Sequence, residues 1–289
     1  MSNVTYNINQ LRDFSSIFMR SEVLSWLQGD FSSLDIKIER YSDLIPKSGK
    51  SSYLNFVRHA YSVLDRNYQN EYIFKNSFLT EWLIKELGET DSIVFSEFRV
   101  SKSIADLVMF NGRSKAFEIK TEFDSDVRLA GQIKDYKRAF NEVYLIIPKN
   151  KLSLYQKYSS DVGIILFDDE KIERFELIHK PKFQESIDST VIMEVLHTQE
   201  YKNIVNQYFG KLPIMNSFNQ YNICLDLIQS IPLEHLNQLY INEIKKRGQN
   251  IGLSNRYYRE LNQITLALKL KKNQKSILIN NLKTPIKLQ

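Results

Sequence analysis

An aspartate, Asp106, lies inside the apolar run Ile104-Ala105-Asp106-Leu107-Val108, and after eleven intervening residues comes Glu118-Ile119-Lys120. Burying a carboxylate is costly unless the charge is paired or bound to a metal. In an extended strand alternate side chains share a face, so Glu118 and Lys120 point one way while Phe117 and Ile119 point the other. The Asn111-Gly112 pair between the two segments is a hairpin signal. Neighbouring strands would then bring Asp106 and Glu118 to one edge, where two carboxylates repel unless a divalent cation lies between them. Hard oxygen ligands of this kind suit Mg²⁺ or Mn²⁺. An ion held by Asp106 and Glu118 would polarise a phosphoryl oxygen and acidify its bound water. Lys120 would orient that water or stabilise charge developing on phosphorus. The chemistry is metal-assisted phosphodiester hydrolysis. A plainer reading makes Glu118 and Lys120 a salt bridge and Asp106 a turn cap, and a short D…ExK string recurs by chance.

Positioning these groups takes a sheet with helices against it. Ser92 to Val100, Ser103 to Phe110 and Ala116 to Thr121 are short and rich in β-branched and aromatic residues, and they read as three consecutive strands. A helix is expected over Val127 to Phe140, with Leu129, Ile133, Tyr136 and Phe140 on one stripe and Asp126 placed to cap it. The run EVYLIIP at 142–148 reads as a buried strand. VGIILFDD (162–169) and KIERFELI (171–178) read as a last hairpin at the sheet edge. Before the sheet, a helix is expected from Asn70 to about Leu87. Glu81 falls on its apolar stripe with Phe74 and Phe78, an acid on an inward face. Glu86 and Glu97 are lesser candidates of the same type. Gln132 and Tyr136 are four apart on a helix and share a face, although Tyr136 also reads as core.

Asp106, Glu118-Ile119-Lys120 and the hairpin carrying them, preceded by a helix and a strand and followed by a helix and a strand, resemble the PD-(D/E)xK nuclease superfamily. Gln132-Ile133-Lys134-Asp135-Tyr136 resembles the QxxxY element of its RecB-like and resolvase-like branches. With Asp124 and Arg128-Leu129, the segment looks like a bacterial family of poorly characterised nucleases. The resemblance covers roughly residues 70 to 150, and the aspartate follows Ile104-Ala105 with no proline. It implies an α/β, restriction-endonuclease-like α-β-β-β-α-β core with a mixed sheet, flanked by N-terminal and C-terminal helical regions. It further implies that Glu81 completes the metal environment and that the Ile119 carbonyl is an added ligand. Gln132 and Tyr136 would support the lysine, the nucleophile or the bound strand. Inactive members exist, so the alternative function is a nucleic-acid-binding or regulatory module on the same fold. Arg128 reads as a salt-bridge partner of Asp124 or as a phosphate contact.

Three regions are expected: helices over 1–70, the nuclease core over 71–180, and a helical, basic region over 181–289, with segments near 190–208, 219–230, 233–247 and 255–270. The net charge of +5 is unevenly spread: residues 240–289 hold 11 Lys or Arg against Glu243 and Glu260, leaving 28 basic and 32 acidic groups before them. Such a block suits a polyanion partner, as does the interleaving of Lys245, Lys246, Arg247, Arg256, Arg259, Lys271 and Lys272 with tyrosines. It equally suits a solvated helix face. The expected partner is nucleic acid, DNA first, with a homodimer compatible.

With 289 residues, 43% hydrophobic and 25% charged, the chain has an ordinary globular balance that excludes disorder or fibrous repeats as its main character. No apolar run approaches the roughly 18 residues that cross a bilayer, so no membrane partner is expected. The first residues lack a secretory pattern, and the chain is expected to be cytoplasmic. One cysteine, Cys224, rules out an internal disulfide, and the 4 histidines have no metal-ligand spacing.

Overall fold

In the computed structural model, which describes residues 5–87, 91–122, 124–248 and 256–286, polar residues open the N-terminal helices. Asn7 accepts the N–H groups of Asn9 and Gln10 at the start of α1 (Ile8–Ser16). Helices α2 (Arg20–Leu27) and α3 (Ser32–Arg40) follow. Ser52 caps α4 (Tyr53–Asn67) and Asn70 caps α5 (Glu71–Ser77), each satisfying an N–H that the helix itself cannot. Between α3 and α4 lies a short 3₁₀ turn at Lys47–Lys50. The single helix expected to Leu87 is interrupted. After α5 the backbone opens into a π turn, Phe78–Leu83, before α6 (Ile84–Leu87). A π turn inserts a residue into the helical spacing and so moves later residues off the straight apolar stripe.

The middle of the chain forms strands β1 (Ile93–Val100), β2 (Ser103–Phe110) and β3 (Ser114–Ile119), helix α7 (Leu129–Ala139) and strand β4 (Glu142–Pro148). A short helix α8 (Leu152–Tyr155) leads to the edge hairpin of β5 (Gly163–Phe167) and β6 (Phe175–His179). The order β1-β2-β3-β4-β5-β6 is a six-stranded mixed sheet. The first three strands are an antiparallel meander, β3, β4 and β5 run parallel, and β6 returns antiparallel. Every residue of β3 and of β4 is buried, and for β4 that is why it reads as a nearly continuous apolar run. The meander turns at Asn111 and Gly112, the latter at φ 86°, where a residue without Cβ is favoured.

Helices α9 (Ser189–Val195), α10 (Thr198–Phe209), α11 (Gln220–Gln229) and α12 (Leu233–Lys245) follow, the segment expected at 190–208 being divided at Leu196 and His197. Ala116, Val143, Leu145 and Ile164 on one sheet face share a core with Ile133 and Tyr136 of α7 and with Val191, Ile204, Leu236 and Tyr240. On the other face Phe117 stacks on Tyr144 with ring centroids 5.1 Å apart. Beside that ring Gly163 admits no larger residue, since a Cβ there would lie 2.6 Å from Tyr144.

Past a 3₁₀ turn at Arg256–Leu261, the chain ends in α13 (Asn262–Ala267) and α14 (Lys272–Leu282). The last of these was not anticipated from periodicity. Leu278 and Leu282 join Phe14, Trp26, Phe56 and Leu64 in a second core. Tyr72 donates its hydroxyl to the Glu260 carbonyl at 2.6 Å, and Asn281 donates to the Trp26 carbonyl at 2.9 Å. The chain therefore divides into two units, residues 1–85 with 253–289, and residues 86–252, instead of three successive regions. The reason is apolar: the terminal helices complete a core begun more than 200 residues earlier.

Candidate active site

The register between β2 and β3 pairs Leu107 with Phe117, and one residue further along it sets Asp106 opposite Glu118. Directly opposed residues on neighbouring strands share a face. Strand alternation then breaks on the other side of β2. The ladder between β1 and β2 passes from Ser96↔Leu107 to Phe98↔Ala105 in unchanged register, which brings Glu97 level with Asp106. Glu97 there adopts φ 54°. A left-handed residue within a strand breaks the alternation of its side chains. Phe95 and Phe98, three residues apart, consequently bring their rings together at 5.7 Å.

Glu118 is 3% exposed and Lys120 7% exposed. The ammonium of Lys120 donates to Glu118 Oε1 at 2.8 Å, confirming the shared face expected from alternation. Gln132, on α7, donates its amide to the same Oε1 at 2.8 Å and accepts from Lys120 Nζ at 3.2 Å. Tyr136, one turn along, donates to Glu118 Oε2 at 2.8 Å. The four-residue spacing thus places both polar groups of the QxxxY element on the strand carboxylate. Tyr136 is also fully buried, so its role as core and its role in the site are one position seen from two sides.

Burial raises the pKa of Glu118, and the neighbouring charge of Asp106 raises it further, while the ammonium of Lys120 and the donors Lys120 and Tyr136 act in the opposite sense. Burial, then the charge of Glu118, holds the Tyr136 phenol far above its ordinary range, so it remains a donor. Asp106 is half-buried and accepts the N–H of Ile119 through Oδ2 at 2.8 Å. That bond ties the end of β3 to β2 between the two residues of the ExK element. Thr121, which the spacing did not single out, secures the next residues: its N–H and hydroxyl reach Asp124 Oδ2 at 2.8 and 2.7 Å. The T-x-x-D string is the signal that would have found it. Asp126 does not cap α7 with its side chain. It pairs with Lys157 at 2.5 Å, and the N-cap position falls on Arg128.

Glu81 is half-buried within the π turn and belongs to the first unit, whereas Asp106, Glu118 and Lys120 belong to the second. Glu86 and Glu97 are exposed. The basic block is split as well. Lys245, Lys246 and Arg247 fall in the second unit, where they pair with Asp91, Glu243 and Glu200 respectively. Arg247 also donates to the Val195 carbonyl at 2.9 Å. Arg259, Lys271 and Lys272 are exposed in the first unit. The side chain of Arg256 lies outside the described residues. The basic block is thus shared between the two units, and its part in the second is engaged in ion pairs.

Two carboxylates meeting beside one buried ammonium leave negative charge at this strand edge, which fits a hard divalent cation. Mg²⁺ commonly takes one or two carboxylates and keeps several waters. Among the described residues no group of three or more His, Cys, Asp or Glu side chains is placed to hold a metal, so backbone oxygen and water would have to complete the sphere. Among those residues, too, no helix is long and apolar enough to cross a membrane.

Compared with known proteins, residues 65–283 match the sequence model of the family described as Bacteriophage P4 protein cII. Protein cII of Enterobacteria phage P4 is 33% identical over 174 residues, which is 58% of this chain and 64% of the relative, so the chain spans less than two thirds of that protein. No solved structure matches the chain.

Proposed function

The chain belongs to the Bacteriophage P4 protein cII family, and from that premise and the Asp106–Glu118–Lys120 arrangement we propose that it is a metal-dependent nuclease hydrolysing phosphodiester bonds of DNA by a PD-(D/E)xK mechanism. The family description names no reaction, so the site carries the reading. The single observation that supports it best is that Glu118, Lys120, Gln132 and Tyr136 form one hydrogen-bonded network beside Asp106. Its setting supports the reading too: a meander, a helix and a parallel strand, the order of a restriction-endonuclease-like core.

Asp106 and Glu118 would hold Mg²⁺ or Mn²⁺, with the Ile119 carbonyl as a further ligand. The ion supplies Lewis acidity and a bound water of lowered pKa. Lys120 holds a positive charge where negative charge develops on the phosphate, in a nearly buried position where that interaction is strengthened. Gln132 fixes the ammonium and the carboxylate relative to each other, and Tyr136 fixes the second carboxylate oxygen. Neither needs to exchange a proton. A second reading, a nucleic-acid-binding module that does not cut, draws on the three protein donors that Glu118 already accepts.

Cleavage of single-stranded, duplex and branched DNA and of RNA with Mg²⁺ or Mn²⁺ separates the two. Under the nuclease reading the unmodified chain cuts DNA, and Glu118→Ala and Lys120→Ala do not. Binding without cutting on every substrate selects the second reading, and cutting that survives both substitutions removes this site from the mechanism.

A further inference from the structure

We infer that Arg128 is the group that grips the substrate's phosphate backbone beside this site, through the non-bridging oxygens of a phosphodiester and without regard to base sequence. The inference deepens the nuclease reading and rests on it, since that reading brings a phosphodiester to the Glu118 edge. Arg128 sits just before α7 in right-handed backbone, φ −92° and ψ −10°, and its carbonyl accepts the N–H of Gln132 at 3.1 Å. One helical turn therefore separates the two residues, and side chains so spaced lie on one stripe with Cβ atoms about 5–6 Å apart. Gln132 is the residue whose amide touches both Glu118 and Lys120. The guanidinium thus begins one turn along the stripe that ends on the reactive carboxylate.

The acids nearest to it in sequence have other partners. Glu122 accepts from Asn150, Asp124 from Thr121, Asp126 from Lys157 and Asp135 from Ser103. Arg128 is exposed, and among the described residues its guanidinium makes no hydrogen bond or ion pair, the pairing with Asp124 expected from the sequence being absent. An exposed arginine without a carboxylate partner has its planar fork open to a ligand. That fork matches two oxygens of one phosphate, which a lysine ammonium cannot do. Lys134 makes the contrast within the same helix: it too is exposed, but it follows Gln132 by two residues and so faces another way.

The test uses the full chain and fluorescently labelled single-stranded and duplex oligonucleotides of several sequences, titrated without divalent metal over a salt series, alongside Mg²⁺-dependent cleavage. Arg128→Ala is expected to bind roughly tenfold more weakly on all sequences and to lower the salt slope by about one, with Arg128→Lys intermediate and Lys134→Ala unchanged. Glu118→Ala serves as the separate control, expected to lose cutting and keep binding. If Arg128→Ala binds like the unmodified chain while Glu118→Ala abolishes cutting, the Arg128 contact is overturned and the nuclease reading stands. Equal losses in Arg128→Ala and Lys134→Ala would also overturn it, as a diffuse charge effect. If the unmodified chain binds but never cuts, and Arg128→Ala alone weakens binding, the nuclease reading falls and the phosphate contact remains.

Discussion

Tyr136 donates its hydroxyl to Oε2 of Glu118 at 2.8 Å, joining the core-facing stripe of α7 to the carboxylate on β3. Both groups are almost out of water. Burial first, and then that same carboxylate, hold the phenol in its protonated, donating form. Packing of the helix on the sheet and placement of the acid are consequently one event.

Tyr136→Phe keeps the ring in the core and deletes the donor. Leaving a buried acceptor short of a partner costs about 1–3 kcal/mol, and urea denaturation should show that loss in the unit holding the sheet. An unchanged midpoint would mean that another group replaces the hydroxyl.

Stability should also depend on pH through Glu118. Its folded pKa is raised above the ordinary 4.5, so ionisation is less favourable folded than unfolded. Its contribution is then fully present below pH 4.5 and declines as the pH rises from there through the folded value. Asp106→Asn can still accept the Ile119 N–H but removes a charge that raises that pKa. Denaturation midpoints over this window should fall less steeply for Asp106→Asn, and an equal slope would show that Asp106 does not govern Glu118.

Gln132 is half-buried and holds Lys120 and Glu118 together without belonging to the core. Gln132→Ala should leave the circular-dichroism spectrum and melting temperature close to those of the unmodified chain, and reduce metal-dependent cleavage by roughly 10- to 100-fold, the usual effect of removing a supporting partner. A full-rate variant would show that Lys120 is positioned by Glu118 alone.

Arg247 bonds the Glu200 carboxylate and the Val195 carbonyl. Losing hydrogen bonds to a charged group costs about 1.5–3 kcal/mol, so Arg247→Ala should unfold at lower urea. Its DNA affinity, measured where it is still folded, should match that of the unmodified chain. A reduced salt slope would instead place Arg247 on phosphate.

Lys269 follows α13 with φ 53°, a conformation that a side chain resists and glycine does not. Its position lets the Leu270 N–H reach the Thr265 carbonyl at 3.0 Å. Lys269→Gly should raise stability by about 0.5–1 kcal/mol in thermal or urea unfolding, against the loss expected of glycine at most other positions.

The sequence by itself determined the local elements of the sheet and α7, and the grouping of Glu118, Lys120, Gln132 and Tyr136 beside Asp106. Those relationships are short-range: alternation along a strand, a turn at Asn111-Gly112, and four-residue spacing on a helix, each written in neighbouring residues. The tertiary structure alone decided which charges are already taken. Lys245, Lys246 and Arg247 look in the sequence like an open basic run, yet Arg247 meets Glu200 on α10 and Lys245 meets Asp91 across 154 positions of chain. Arg128 is the reverse case, an arginine near acids in sequence whose guanidinium pairs with none of them, while Thr121, Asn150, Lys157 and Ser103 bond those acids. The return of Leu278 and Leu282 to a core begun by Phe14 and Trp26 was equally hidden. Periodicity tells which face of an element avoids water, but the partner that covers a face, or neutralises a charge, is chosen by the packing of segments remote in sequence, and no local pattern records that choice.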